Sequence, residues 1–154
     1  MSEFERKGMT RPVYDEKRLT PFGLWIRRTC RNSKLGLSVT NIDYEIEDFR
    51  DRDRKRIMLV EEKQYMGKLH YGQAMHFMRL DQAERLLAER EGFEYRGFFL
   101  VQLSAESPED SDRIFVNGVE VDEKRLRRFI NFEQDITGGL DGSKPWEWRK
   151  FVIR

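Results

Sequence analysis

"RIMLVEEK", Arg56–Lys63, is the stretch on which the reading of the fold turns. Ile57, Met58, Leu59 and Val60 form an unbroken aliphatic run of strand length, the pattern of a strand buried on both faces. It then ends in Glu61, Glu62 and Lys63. The ordinary explanation is that the strand leaves the core and enters water. A more specific one follows from strand geometry. Residues two apart point the same way, so Glu61 and Lys63 share a face and Glu62 takes the other. A carboxylate and an ammonium side by side at a strand end are placed to hold a metal ion and a water.

Working backwards, "LSVTNIDYEIEDF" (Leu37–Phe49) alternates and reads as a strand. Asp43, Glu45 and Glu47 fall on one side, and Ile42, Tyr44 and Ile46 on the other. "RDRDRK" (Arg50–Lys55) carries no apolar residue and joins the two strands as a solvated hairpin. A turn centred between Arg52 and Asp53 pairs position 43 with about position 62. Asp43 then comes within reach of Glu61 and Lys63. Two carboxylates are hard oxygen donors suited to Mg²⁺ or Mn²⁺, which keep several waters when bound. Such an ion polarises a phosphoryl oxygen and lowers the pKa of its water. A neighbouring lysine positions that water or offsets transition-state charge. The plain counter-reading is a solvated cross-strand ion pair worth about 0.2–1 kcal/mol.

Further out, Thr20-Pro21 supplies an N-cap and a first-turn proline for a helix bearing Phe22, Leu24, Trp25 and Ile26. Arg27, Arg28, Arg31 and Lys34 crowd its far end. They read either as a solvated helix terminus or as a patch that tracks phosphates. Residues 1–34 hold nine Lys or Arg against four Asp or Glu, whereas the whole chain is only +1. Residues 1–19 read as a flexible arm, and 20–154 as one domain. After Gly67, "YGQAMHFMRLDQAERLLAERE" (Tyr71–Glu91) is helical, with Met75, Phe77 or Met78, Leu80, Leu86 and Leu87 as its apolar positions and Gly92 as C-cap. "YRGFFLVQLSA" (Tyr95–Ala105) is a strand. Asn117-Gly118 marks a hairpin. "EKRLRRFINFEQ" (Glu123–Gln134) is a helix, and "GGLDGSKPWEWRKFVIR" is a loop leading into a docked segment. The whole is an α/β pattern with a mixed sheet flanked by helices.

Composition closes off several classes. Eleven Phe, five Tyr and three Trp supply enough large apolar surface to oppose disorder despite 37% charged residues. The single cysteine, Cys30, excludes an intramolecular disulfide and any multi-cysteine zinc site, and fits a reducing cytoplasm. No signal peptide is visible, and no apolar run approaches the roughly 20 residues that span a bilayer. The nucleotide-binding, zinc-protease and serine-hydrolase motifs are missing. His70 and His76 are too few for a histidine metal site, though His70 lies near enough to Lys63 for a substrate contact. Trp146 and Trp148 are read chiefly as aromatic anchors, with base stacking as the alternative.

"GLSVTNIDYEI", "RIMLVEEKQ" and "YGQAMHF" together resemble the core of the PD-(D/E)XK nuclease superfamily, in its RecB-like branch. The Asp of that pattern is matched by Asp43 and its (D/E)-x-K by Glu61-Glu62-Lys63. Gln73 and Phe77 match the branch's helical Gln and the aromatic four residues later. The likeness covers roughly residues 20–105. It implies a restriction-endonuclease-like core and a Mg²⁺- or Mn²⁺-dependent deoxyribonuclease of repair, recombination or phage type. It further implies that Asp43 and Glu61 ligate the metal and Glu62 offers its backbone carbonyl. Lys63 would act on the water, and Gln73 would support the lysine or a phosphate. The first helix lacks the acid often present in the family, for which Glu16 is the nearest substitute. DNA is the expected partner, with RNA left open and a homodimer or partner protein admitted. The rival expectation is a non-catalytic α/β module that binds nucleic acid or protein.

Overall fold

The computed structural model describes residues 43–154. The expected arm at 1–19, the first helix with Arg27, Arg28, Arg31 and Lys34, Glu16, Cys30 and the strand positions 37–42 lie outside the described residues.

β2 (Arg56–Lys63) is an interior strand of the sheet. Residues 57 to 61 are all buried, as the unbroken aliphatic run requires. β1 (Tyr44–Asp48) pairs with β2 antiparallel. Helix α1 (Tyr71–Glu91) then carries the chain over to β3 (Glu94–Leu103), which lies parallel to β2. With β4 (Ile114–Val116) and β5 (Val119–Val121) the described residues form five strands in the order β1-β2-β3-β4-β5. The sheet is mixed: among the described residues β2 and β3 are parallel and the other neighbours antiparallel. Asn117 and Gly118 both adopt positive φ, 47° and 82°, which is the backbone of a two-residue hairpin turn.

Two apolar layers cover the faces. On one side Leu59, Phe98 and Leu100 meet Ala74, Phe77 and Met78 of α1, together with Leu140, Trp148 and Phe151. On the other side Met58, Val60, Phe99, Val101 and Val116 meet Leu126 and Phe129 of α2 (Glu123–Ile130). Strand alternation divides the aliphatic run between the two layers, so β2 supplies both cores.

Three details differ from the sequence expectation. Helix α2 stops at Ile130 rather than Gln134. Asn131 caps it, and Phe132 turns into positive φ (60°) to bury its ring. In α1 the buried face is Ala74, Phe77, Met78, Asp81 and Ala88, whereas Met75, Leu86 and Leu87 are exposed. A carboxylate takes a core position there. Asp81 is fully buried and accepts from Arg85 Nε (2.8 Å), the Tyr95 hydroxyl (2.7 Å) and the Gly142 N–H (2.7 Å). Burial, the hydrogen bond that Tyr95 donates to Asp81 and that carboxylate's charge push the Tyr95 phenol well above its usual range. Finally, the β1–β2 register places Tyr44 opposite Val60, so the turn centres on Arg52. Asp43 is therefore level with Glu61, one residue from the expected partner at 62.

The closing segment docks as expected. It consists of α3 (Pro145–Trp148) and a 3₁₀ turn (Arg149–Phe151). Glycine makes the approach possible at Gly142, where a Cβ would stand 2.0 Å from the Met78 carbonyl oxygen. Trp148 and Phe151 are buried against Phe98 and Leu69.

Candidate active site

The one-residue register correction matters for the site. Directly opposed residues of an antiparallel pair face the same side of the sheet. Continued one step past the last paired residues, Tyr44 and Val60, the register sets Asp43 beside Glu61 rather than Glu62, and Glu61 shares its face with Lys63. Two hydrogen bonds fasten this end of the hairpin. The Asp43 N–H donates to Glu61 Oε2 at 3.0 Å, and the Glu62 N–H donates to Asp43 Oδ2 at 2.9 Å. Each carboxylate is thereby oriented by a backbone donor.

Glu61 and Lys63 are both buried, at 4% and 9% exposure. Burial of ionisable groups is costly unless they are paired or hydrogen-bonded, so their partners define the site. Lys63 Nζ donates to Gln73 Oε1 at 3.2 Å. The same oxygen accepts the His70 N–H at 3.1 Å. Gln73 is the third residue of α1 and caps the first turn with its side chain. The helix terminus therefore fixes the amide, and the amide fixes the ammonium. Among the described residues Lys63 makes no ion pair within 4 Å, so its charge is held by a neutral oxygen.

Behind Lys63 stands a residue that sequence reasoning did not single out. Gln102 on β3 is level with Lys63 and 6% exposed, and its Nε2 donates to the Gly67 carbonyl at 2.9 Å. This bond ties the Lys63–α1 connection to β3. Its signal in the sequence is a lone polar residue in the buried run "FFLVQL".

The expected site residues thus divide as follows. Asp43, Glu61, Lys63 and Gln73 are brought together at the end of β2. The Glu62 side chain lies on the opposite face, beside a cleft of about 230 Å³ lined by Val60, Val101, Leu126 and Ile130. Only its backbone belongs to the site. Phe77 is fully buried beneath α1, stacked on Phe98 at 4.9 Å, so it supports the helix and not the site surface. His70 is exposed at the N-cap of α1, and His76 is exposed on its outer side.

The donor set suits a hard divalent cation. Among the described residues Asp43 and Glu61 could offer carboxylate oxygens and Glu62 a carbonyl, with no sulfur and no imidazole among these three. Among the described residues no three His, Cys, Asp or Glu side chains gather around one point. The described residues would offer an ion here two carboxylates and the backbone, a set that Mg²⁺ can complete with water. No helix among the described residues is long and apolar enough to cross a membrane. No family model, curated protein or solved structure matches the chain.

Proposed function

We propose that the chain is a metal-dependent nuclease that hydrolyses DNA phosphodiester bonds, built on a restriction-endonuclease-like core. The observation that carries this reading is the Lys63–Gln73 hydrogen bond at the end of the strand that also bears Glu61, with Asp43 locked beside it. The order of elements supports it. An antiparallel hairpin feeds a crossover helix and a parallel strand, and the polar groups collect where that helix begins.

In this reading Asp43, Glu61 and the Glu62 carbonyl hold Mg²⁺ or Mn²⁺. When bound, the cation polarises the phosphoryl oxygen and makes a water more acidic. Lys63 orients the attacking water and offsets the charge that develops on the phosphate. Gln73 keeps the ammonium in one position, which lowers the cost of ordering the reacting groups. Burial of Glu61 and Lys63 strengthens each of these electrostatic interactions. DNA in a reducing cytoplasm is the setting this reading implies, with a homodimer or partner protein as the working assembly. The test is metal-dependent cleavage that Lys63→Ala abolishes.

One observation favours a second reading. The two bonds between Asp43 and the Glu61–Glu62 pair are sufficient in themselves to fasten a hairpin end, and Gln73 is a serviceable helix cap. A non-catalytic binding module would keep all three for stability. The two readings separate on divalent-cation binding, which only the first requires.

A further inference from the structure

The 144–154 segment has features that packing alone does not need. "KPWEWRKFVIR" splits its two tryptophans: Trp148 is fully buried, whereas Trp146 is 60% exposed. Around Trp146 stand Lys144, Arg149, Lys150 and Arg154, all exposed. No ion pair among the described residues uses any of the four, although many other cations of the domain are paired. The segment's one acid, Glu147, accepts the Asp141 N–H at 3.1 Å and serves the loop.

Two concavities flank this ridge. One, of about 480 Å³, is lined by Tyr71, Met75, Trp148 and Ile153. The other, of about 650 Å³, is lined by Asn117, Gly138, Trp146 and Lys150. Arg149 and Arg154 line both. Tyr71 on the rim of the first is 70% exposed. Each volume falls within the roughly 300–1,000 Å³ of ordinary ligand clefts.

The ridge is joined to the site by backbone. Leu69 donates to the Phe151 carbonyl at 2.8 Å, and Ile153 donates to the Leu69 carbonyl at 2.8 Å, so the segment runs parallel to the chain entering α1. The next residue, His70, bonds Gln73, which bonds Lys63.

We propose that Trp146, Tyr71, Arg149, Lys150 and Arg154 form a platform that binds single-stranded DNA beside the Lys63 site. The inference deepens the nuclease reading and rests on it for the choice of polymer. Unpaired cations interleaved with exposed aromatic rings are the combination that tracks a phosphate backbone while stacking its bases. Stacking requires open base faces, which a duplex conceals. Trp, Tyr and Arg are common to protein interfaces as well, but Lys144 and Lys150 count against a protein partner, because lysine and unneutralised charge are depleted at interface cores.

The test is fluorescence anisotropy of a short labelled oligo-dT with the full chain in EDTA, where no metal-dependent cutting occurs. Trp146→Ala should weaken binding on the order of tenfold, the loss of one stacked base. Trp146→Phe should restore most of it. Arg149→Ala with Arg154→Ala should weaken binding and flatten the salt dependence by about 1.4 in log–log slope, from about 0.7 per phosphate contact. All these positions are exposed, so the variants should keep the wild-type fold by circular dichroism. No binding by the wild type, unchanged binding by the variants, or tighter binding of a duplex would overturn the proposal. So would sedimentation showing that Trp146→Ala dissolves a dimer without altering DNA affinity, since the occupant would then be a second copy. A protein that binds through Trp146 but cuts nothing retains the platform and loses the nuclease reading. One that cuts unimpaired with Trp146→Ala does the reverse.

Discussion

Lys63 Nζ sits 3.2 Å from Gln73 Oε1, and the His70 N–H holds the same oxygen at 3.1 Å. A buried ammonium at the end of an interior strand is thus aimed by the first turn of a helix, through an amide that the helix itself uses as a cap. A carboxylate in the place of Gln73 would neutralise Lys63. An amide leaves its charge available to a phosphate.

Removing Lys63 should therefore cripple the chemistry while sparing the fold. Lys63→Ala is expected to lower cleavage by about 10²–10³, the usual loss for one donor to a transition-state charge. Gln73→Ala should lower it by about 10–100-fold, since it acts only through the lysine. Steady-state cleavage rates on one DNA substrate compare the two. A Gln73 effect larger than that of Lys63 would reverse their roles.

Asp43 is expected to link metal binding to stability. With Mg²⁺ or Mn²⁺ at about 100 times its dissociation constant, the folded state gains about 2.7 kcal/mol. A thermal melt should shift upward with the metal for the wild type and stay fixed for Asp43→Ala. Equal shifts in both proteins would place the cation elsewhere.

How much of this was legible in the residues depends on the kind of signal. β2 could be read to the residue, because four aliphatics in a row followed by charge have few other meanings. The Asn117-Gly118 turn was equally plain, since both positions need positive φ. Register was less legible. A charged hairpin of six residues contains no residue that specifies its centre, so the sequence leaves the partner of Asp43 open by one step. The face of α1 does not follow from its apolar residues, because Asp81 occupies a core position. Only the tertiary partners Tyr95, Arg85 and Gly142 make a buried carboxylate tolerable there, and they lie up to 61 residues away. Gln102 escaped notice because a single polar residue in a strand does not announce whether it faces a site.

Asp81 carries its own prediction. Asp81→Ala leaves the Arg85 guanidinium, the Tyr95 hydroxyl and the buried Gly142 N–H without their acceptor. Arg85 is partly exposed and keeps Asp141 nearby, so the main loss is the two neutral donors, at about 1–3 kcal/mol each. Asp81→Asn, which keeps one acceptor oxygen, should cost less. Urea denaturation measures both. The loop at 138–144 should lose amide-exchange protection before the β2–β3 pair does.

Acid should act through Asp48. Hydrogen bonds from the Arg50 side chain and N–H, joined by Arg56, hold its carboxyl well below the usual carboxylate range. A depressed folded value contributes stability that is complete above the unfolded value near 4 and is lost as pH falls through the folded one. The Tm gap between the wild type and Asp48→Asn should thus be largest at neutral pH and close below about pH 4. A gap that widens in acid would mean that Asp48 is not the group responsible.

The central claim is most directly tested by a cleavage assay on labelled single-stranded, duplex and branched DNA, in Mg²⁺, Mn²⁺ or EDTA, with Lys63→Ala beside the wild type. The account predicts cutting that needs the metal, is lost in EDTA and is lost in the variant. A folded wild-type protein that binds DNA but cuts none of the three, or a Lys63→Ala protein that cuts as well as its parent, would contradict it.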